Sequence, residues 1–271
     1  MPTSGILVPR EHGAWAMLLL PFVSALLLAR RVHWEVVPAA AAVVGVFLVR
    51  EPLVVLWRQA AVWKDRRPET AMAWRSLAWY GPAVGLAGAL LLWRLPVGPL
   101  VGLGVMAGSL LAASTYLVVH NRRRSVVLQV SSAAGLNASA ILAWLAVRPQ
   151  VEPAVVWLWG LQFAHSTAAL LAVHARLEAR IAARTSRERD EARGRAMVAQ
   201  ALLLAGAGVL AAMGKWGLAG AVALSGGVHA VDLWRLRDPQ FVEIPLTKVG
   251  RRELMISTLV SGVLVLGLWG H

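Results

Sequence analysis

Long apolar stretches recur along the chain from Trp15 to its last residues, and short polar segments separate them. A helix needs roughly 20 mainly apolar residues to cross about 30 Å of hydrocarbon, so the pattern predicts nine membrane spans. Only RLPVG separates the third and fourth spans, and only MGK the seventh and eighth, which predicts tight antiparallel hairpins. The predicted spans lie near residues 15–30, 34–57, 77–95, 97–119, 127–147, 153–173, 196–213, 216–234 and 253–270.

The composition agrees with an all-α integral membrane protein. Hydrophobic residues make up 58% of the chain and charged residues 15%, and the mean hydropathy is +0.62. The longest polar segments, residues 58–76 and 174–195, read as cytoplasmic loops, so we expect one polytopic membrane domain over residues 1–271. The chain has no cysteine, which excludes disulfides and thiolate metal sites.

The net charge of +13 reports topology in such a protein. If the N-terminus is cytoplasmic, most of the 27 Lys and Arg residues fall in cytoplasmic segments, as the positive-inside rule requires. Nine spans then place the C-terminus outside. The distribution predicts a multi-pass membrane protein, with membrane lipids as partners and no nucleic acid.

Ionisable residues at the edge of the first two spans are candidates for function, because charges at membrane depth are costly. Arg10, Glu11 and His12 precede the first span and serve either as interfacial anchors or as cavity residues. Arg50 and Glu51 lie inside the second span. Adjacent helical residues do not face each other, so we expect them to line a polar cavity, with pairing to Glu11 or another span as the alternative.

The later spans add a second set of candidates. Arg122–Arg124 precede Gln129, Ser131, Ser132 and Asn137, which suggests a polar lining below a basic mouth, although such arginines are also ordinary topology signals. His165 lies in the sixth span, where a helix-to-helix hydrogen bond is the plain interpretation. The remaining candidates form two pairs at helical spacing, His174 with Glu178 and His229 with Asp232, the latter read as either a hydrogen-bonded or a proton-handling pair.

All these groups are expected near the cytoplasmic ends of their spans, so one cytoplasm-facing cavity would collect them. Its cationic residues would suit a phosphate or diphosphate, because the planar guanidinium makes two charge-assisted bonds. The apolar tail of such a lipid would lie between helices. The cations concerned are Arg50, Arg58, Arg122–Arg124 and Arg176.

Three sequence motifs resemble those of the YwiC-like family of bacterial integral membrane proteins: PREHGAWAMLLLP at the start, REPL in the second span and GRREL before the last. A more distant resemblance links the chain to UbiA-type intramembrane prenyltransferases, through nine spans and two cytoplasmic loops. The residues that carry this second resemblance are Arg67 and Pro68, then Tyr116, Arg122–Arg124, Gln129 and Gly135.

The UbiA-type resemblance implies a transferase that holds a prenyl diphosphate through Mg²⁺ bound to two Asp-rich motifs. Here Arg50 and Glu51 stand at the start of the first motif, and Val54 and Arg58 replace its next two aspartates. Near the second motif only Glu178 is acidic. Arginine would therefore bind the anion directly in place of metal charge.

The leading hypothesis is a divergent prenyl or lipid transferase acting on an isoprenoid diphosphate, with a metal-poor site. The alternatives are a non-catalytic lipid- or quinone-binding accessory protein and, ranked lowest, a small-solute transporter. The expected catalytic residues are Glu51, His165 and Glu178. The expected substrate-binding residues are Arg10, His12, Arg50, Arg58, Arg122, Arg123, Asn137 and Arg176.

Overall fold

The structure of the protein, a computed structural model, describes residues 5–9, 12–63, 65, 67–120, 125–185 and 191–269, without the side chains of residues 12, 184 and 185. All the regular elements of this part of the chain are α-helices, which confirms the all-α prediction. They are α1 (His12–Ala29), α2 (Val36–Ala61), α3 (Pro68–Arg94), α4 (Val97–Val119), α5 (Val126–Asn137), α6 (Ser139–Leu145), α7 (Pro153–Thr185), α8 (Glu191–Ala212), α9 (Trp216–Arg235), α10 (Pro239–Val242) and α11 (Leu246–Trp269).

Seven helical segments among the described residues are long and apolar enough to cross a membrane. A shorter apolar segment, Gly13–Ala29, precedes them, and α9 is not among the seven. The chain is thus a multi-pass helical membrane protein, while the count of nine spans and the orientation of the termini stay predictions. The seven segments are Val36–Ala61, Pro68–Arg94, Val97–Val119, Val126–Leu145, Pro153–Ala183, Glu191–Ala212 and Leu246–Trp269.

The two segments expected to be long loops are largely helical where the structure describes them. In the first, residues 58–76, α2 continues to Ala61 and α3 begins at Pro68. In the second, residues 174–195, α7 continues to Thr185. A polar connection between two spans can itself be helical, because a helix continues as long as its backbone bonds are made; that these connections are cytoplasmic stays a prediction.

The chain divides into two compact units, Met1–Glu152 and Pro153–His271, here called unit 1 and unit 2. In unit 1, α2 packs along α3, α1 packs against α5 and α6, and α4 contacts α2 and α5. The connection between α3 and α4 is as short as predicted, but α3 touches α4 only slightly because its main partner is α2. A single domain over the whole chain stays a prediction.

The predicted fifth span consists of α5 and α6, which meet at Ala138 in the right-handed helical conformation. Ser139, the first residue of α6, donates its hydroxyl to the carbonyl oxygen of Leu18 in α1 at 2.7 Å. Such a bond between helices satisfies a hydroxyl that would find no partner in the membrane interior. It fixes α6 to α1.

In unit 2, α8 and α9 form the predicted tight hairpin. Gly214 adopts the left-handed conformation, with φ of 75°, directly after α8, so the chain turns into α9 within a few residues. Where α9 meets α11, the backbones touch: a Cβ placed on Gly217 would lie 2.8 Å from the Cα of Gly267. Small residues at a crossing allow such close approach in membrane proteins.

Candidate functional site

A cavity of about 450 Å³ lies within unit 1. Helices α1 to α6 all contribute to its walls, and nearly all of the lining side chains are apolar. One wall is the stretch of α4 from Leu100 to Leu111, and another comes from Val84 to Leu92 of α3. Since α3 packs mainly against α2 and little against α4, the space between α3 and α4 is left for this cavity.

Small residues keep the cavity open. Gly88 and Gly104 line it. Apart from the backbone of their own helix, no heavy atom of the described residues lies within 4 Å of the position that a Cβ would take on either glycine. Gly135 lies at a tighter point, because a Cβ there would come within 2.9 Å of the Cδ1 atom of Leu110. Larger side chains at the first two positions would therefore enter the cavity instead of displacing its walls.

Among the described residues that line this cavity, Arg50 alone carries a charge. Its Nη1 atom lies 3.6 Å from the Oε1 atom of Glu51, and the side chain is 14% exposed against 33% for that of Glu51. From the helical spacing we expected these adjacent residues to form ion pairs or hydrogen bonds with other residues. They do pair with each other, since both side chains are long enough to bend around the helix surface.

Hydroxyl groups provide the rest of the polar lining. Ser114 of α4, Ser131 and Ser132 of α5, and Ser139 of α6 all line the cavity. The hydroxyls of Ser114 and Ser131 donate to carbonyl oxygens of their own helices, at 3.0 and 3.1 Å. Each such hydroxyl oxygen keeps acceptor capacity. The cavity is thus an apolar chamber with one guanidinium and several hydroxyls.

Two other predicted binding residues of unit 1 do not line the cavity. Arg58 donates from Nη2 to the carbonyl oxygen of Val118 at 2.9 Å, which ties α2 to the end of α4. Asn137 is fully buried, and its Nδ2 atom donates to the carbonyl oxygen of Ala133 at 2.8 Å. Both side chains therefore have packing and hydrogen-bonding roles in this structure.

Several predicted residues cannot be placed. Arg10, Arg122 and Arg123 lie outside the described residues, as does the side chain of His12. The predicted binding roles of these four residues stay predictions. The expectation that one cavity collects all the ionisable groups also stays a prediction, because the described candidates belong to both units.

Unit 2 contains a buried polar cluster formed by α7, α9 and α11. Along each helix these polar residues mostly follow one another at intervals of three or four positions and so form a stripe on one face, with Arg252 directly before Glu253 on α11. Only His165, His229 and Asp232 among them were predicted as candidates from the sequence. The cluster consists of Gln162 and His165 on α7, Ser225, His229 and Asp232 on α9, and Arg252, Glu253, Ser257 and Ser261 on α11.

His165 joins all three helices of this cluster. Its Nδ1 atom lies 2.7 Å from the hydroxyl of Ser225, and its Nε2 atom lies 3.0 Å from the hydroxyl of Ser257. One turn away, Gln162 donates from Nε2 to the hydroxyl of Ser261 at 3.1 Å. The helix-to-helix hydrogen bond expected of His165 is therefore present.

The predicted pairing of His229 with Asp232 is wrong, because each side chain is bound to α11 instead. The Nε2 atom of His229 lies 2.9 Å from the Oε2 atom of Glu253. Asp232 forms an ion pair with Arg252. Both partners belong to the GRREL motif, but nothing in the sequence indicates that α11 lies beside α9.

The remaining candidates of unit 2 lie on the later turns of α7. Arg176 is 6% exposed, donates to the carbonyl oxygen of Phe241 in α10 and stacks over its ring, 4.2 Å from the centroid. Glu178 is also buried, with its Oε1 atom 3.9 Å from the Nε2 atom of His174. Arg176 thus binds a backbone group of the protein itself in this structure.

The described residues do not fit the Mg²⁺ that the UbiA-type resemblance implies. Among the described residues, no three His, Cys, Asp or Glu side chains come together in a group that could hold a metal ion. A hard cation such as Mg²⁺ is held by one or more carboxylates, and Glu51 is instead engaged by Arg50.

The family model described as YwiC-like protein matches residues 8–146, which include the first two motifs and every residue that lines the unit 1 cavity. No curated protein and no solved structure matches the chain.

Proposed function

Because the chain belongs to the YwiC-like family and is a multi-pass helical membrane protein, we propose that it binds an isoprenoid lipid with an anionic head group in the cavity of unit 1, in the bacterial cell membrane. The observation that carries this proposal is an apolar cavity of about 450 Å³ with Arg50 in its wall. Small-molecule sites typically have volumes of about 300–1,000 Å³ with few polar groups.

The walls of the cavity are suited to a branched hydrocarbon tail. They combine Leu, Val and Met side chains with glycines, which leave room for methyl branches. A tail in this space contacts protein in place of lipid, so it gains mainly from close packing, because both surroundings are apolar. The tail would therefore be recognised by its shape.

Arg50 is the group that would recognise the head. Its guanidinium already neutralises Glu51, and a phosphate or diphosphate would form shorter, bidentate bonds than the present contact of 3.6 Å. The cavity hydroxyls offer further hydrogen bonds to the head. An isoprenoid quinone, whose carbonyl oxygens accept hydrogen bonds but carry no charge, is the alternative ligand.

Binding without bond formation is the function that the geometry supports best. The roles of Glu51, His165 and Glu178 in prenyl transfer stay predictions. Glu51 is paired with Arg50, and the described residues provide no cluster for the cation that would neutralise a departing diphosphate. Release of diphosphate on incubation with a prenyl diphosphate and an acceptor would favour the transferase instead.

The proposal is tested by thermal unfolding of the purified protein with three probes: geranylgeranyl diphosphate, inorganic diphosphate and a menaquinone analogue, each with Mg²⁺ or EDTA. A ligand that binds only the folded state at 100 times its Kd stabilises it by about 2.7 kcal/mol. We expect geranylgeranyl diphosphate to raise the unfolding temperature without Mg²⁺, and inorganic diphosphate to have little effect.

Two glycines of α4 provide matched variants. Gly104→Phe places a ring in the cavity, whereas Gly102→Phe makes the same change on the same helix at a position that does not line it. We expect the first variant to lose the shift and the second to keep it. Equal shifts in both variants, or no shift with any probe, would refute the proposal. A shift with the menaquinone analogue alone would show that the ligand is a quinone and not an anionic lipid.

A further inference from the structure

The polar cluster of unit 2 is unusual because of how deeply its histidines are buried. His229 is fully buried, and His165 is 4% exposed. Their ring centroids are 5.9 Å apart. Two of the three helices that carry the cluster, α7 and α11, are among those long and apolar enough to cross a membrane. Ionisable groups in such surroundings commonly mark sites for ions or protons.

The bonds of His229 fix the position of one of its protons. The Nδ1 atom lies 2.8 Å from the carbonyl oxygen of Ser225, which can only accept, so Nδ1 carries a hydrogen. The Nε2 atom lies 2.9 Å from Oε2 of Glu253. A hydrogen bond between these two atoms requires one proton, carried either by Nε2 or by the carboxyl group. The pair therefore shares one proton.

His165 is arranged to accept and release a proton as well. Both its ring nitrogens face hydroxyls, those of Ser225 and Ser257. A hydroxyl can donate or accept, so either tautomer of His165 satisfies both bonds. Since Ser257 follows Glu253 by four residues on α11, the hydroxyl of Ser257 and the shared proton lie on one face of that helix.

One end of the cluster has room for water. A cavity of about 10 Å³, roughly the size of one water, is lined by Arg176, Asp232 and Glu253 among others. The Oδ1 atom of Asp232 is buried and has no hydrogen-bond partner among the described residues, and the same holds for the Nε atom of Arg176. Both groups could bind one water molecule next to Glu253.

The opposite end of the cluster is apolar. Beyond Gln162 and Ser261, α9 and α11 bury Leu218 and Leu264 completely, and α7 buries Leu158 completely. These side chains cannot conduct a proton. The cluster is therefore open to exchange from the end where α9 finishes and α11 begins, where the side chain of Arg252 is 37% exposed.

We propose that His229 and Glu253 form a binding site for one exchangeable proton, reached through the cavity beside Asp232 and extended inward by Ser225, His165 and Ser257. The loaded pair holds the one proton shared by Nε2 of His229 and Oε2 of Glu253. Unloading transfers that proton to the neighbouring water, which becomes hydronium, and leaves a neutral imidazole, protonated at Nδ1, beside a carboxylate; loading returns a proton from hydronium to the pair. The ionisable groups near the pair are His165 and Arg176 from α7, Asp232 from α9 and Arg252 from α11.

The proposal is independent of lipid binding in unit 1 and is tested with the full chain labelled with ¹⁵N-histidine, by NMR in nanodiscs without any added lipid ligand. Comparison with His229→Gln assigns the His229 signals. We expect Nδ1 to stay protonated between about pH 5 and about pH 8 while the Nε2 shift changes, because the shared proton leaves the pair for water as the pH rises. In Glu253→Gln this change of Nε2 should disappear.

The relay is tested by the exchange of the His229 Nε2 proton with water and by the tautomer of His165, read from the shifts of its two ring nitrogens. Asp232→Asn should slow that exchange about tenfold, the effect of losing one bond of a charged group next to the water. Ser257→Ala removes the hydroxyl at Nε2 and should change the tautomer balance of His165, whereas Thr258→Val, which removes an exposed hydroxyl from the neighbouring position, should not.

Two results would overturn the proposal. The first is an Nε2 signal of His229 that does not change with pH in the wild-type protein, which would make the pair a fixed structural bond. The second is a Glu253→Gln variant that elutes as a folded protein and keeps the wild-type response. If that variant fails to fold, the wild-type titration alone decides.

Discussion

Replacing Gly217 by alanine tests whether the backbones of α9 and α11 touch as the structure shows. A Cβ on Gly217 would lie 2.8 Å from the Cα of Gly267, and a Cβ on Gly267 would lie 3.0 Å from the carbonyl carbon of Gly217. Both obstacles are backbone atoms, which cannot rotate away. The two helices would have to separate locally by about 1 Å to restore ordinary contact.

The size of the effect follows from packing. Separation of α9 from α11 loosens the buried side chains beside the crossing, among them Leu218 and Leu264, which are completely buried. Inserting one methyl group into a close-packed region costs about 1–3 kcal/mol. Gly217 is the second residue of α9, so the gain in helix propensity from alanine offsets little of that cost.

The assay is thermal unfolding of the purified protein, with Gly220→Ala as the control. Gly220 lies on the same helix. Apart from the backbone of α9 itself, no heavy atom of the described residues lies within 4 Å of the position that its Cβ would take. Alanine in a helix interior is favoured over glycine by about 1 kcal/mol, so the control should be as stable as the wild type or slightly more so. We expect Gly217→Ala to unfold several degrees below the control. If the two variants unfold together, the close crossing of α9 and α11 is refuted.

Three further predictions concern unit 1, each measured as a change in unfolding temperature or ligand shift. Ser139→Ala removes the bond to the Leu18 carbonyl and should cost about 0.5–1.5 kcal/mol, so an unchanged stability would count against that bond. Arg58→Gln removes the bond from the guanidinium to the Val118 carbonyl and should lower the unfolding temperature. The shift caused by geranylgeranyl diphosphate should persist, because Arg58 does not line the cavity. Loss of that shift would place Arg58 at the binding site. Gly135→Ala meets only the far end of a leucine side chain, so it should fold and bind with a reduced shift, and an unchanged shift would indicate a ligand elsewhere.

The sequence predicts the membrane helices well, because runs of apolar residues must satisfy their backbone within each helix in lipid. It predicts where helices end less well. Hydropathy ends the sixth span at residue 173, yet α7 continues to Thr185, since an exposed helix tolerates charges. The bond from Ser139 to α1 has no signal in hydropathy either, because the neighbouring residues Ala138 and Ala140 are apolar.

The pairing of polar residues could not be predicted, for a different reason. His229 and Asp232 are at helical spacing, which suggested that they contact each other, but each binds a residue of α11. Spacing shows which residues share a face and says nothing of which helix covers that face. The cavity was expected at the charged ends of the spans. The structure instead shows an apolar cavity, and Arg50 is the one charged residue among its described lining residues.

Binding of an isoprenoid diphosphate in the unit 1 cavity is tested most directly by photo-crosslinking with a geranylgeranyl diphosphate analogue that carries a diazirine on its tail, followed by peptide mass spectrometry. We expect labels within Leu100–Leu111 of α4 and within Val84–Leu92 of α3. Excess unlabelled geranylgeranyl diphosphate should remove both labels, and Gly104→Phe should lack them. Labels spread over lipid-facing positions that excess ligand does not reduce, or labels confined to other helices, would contradict it.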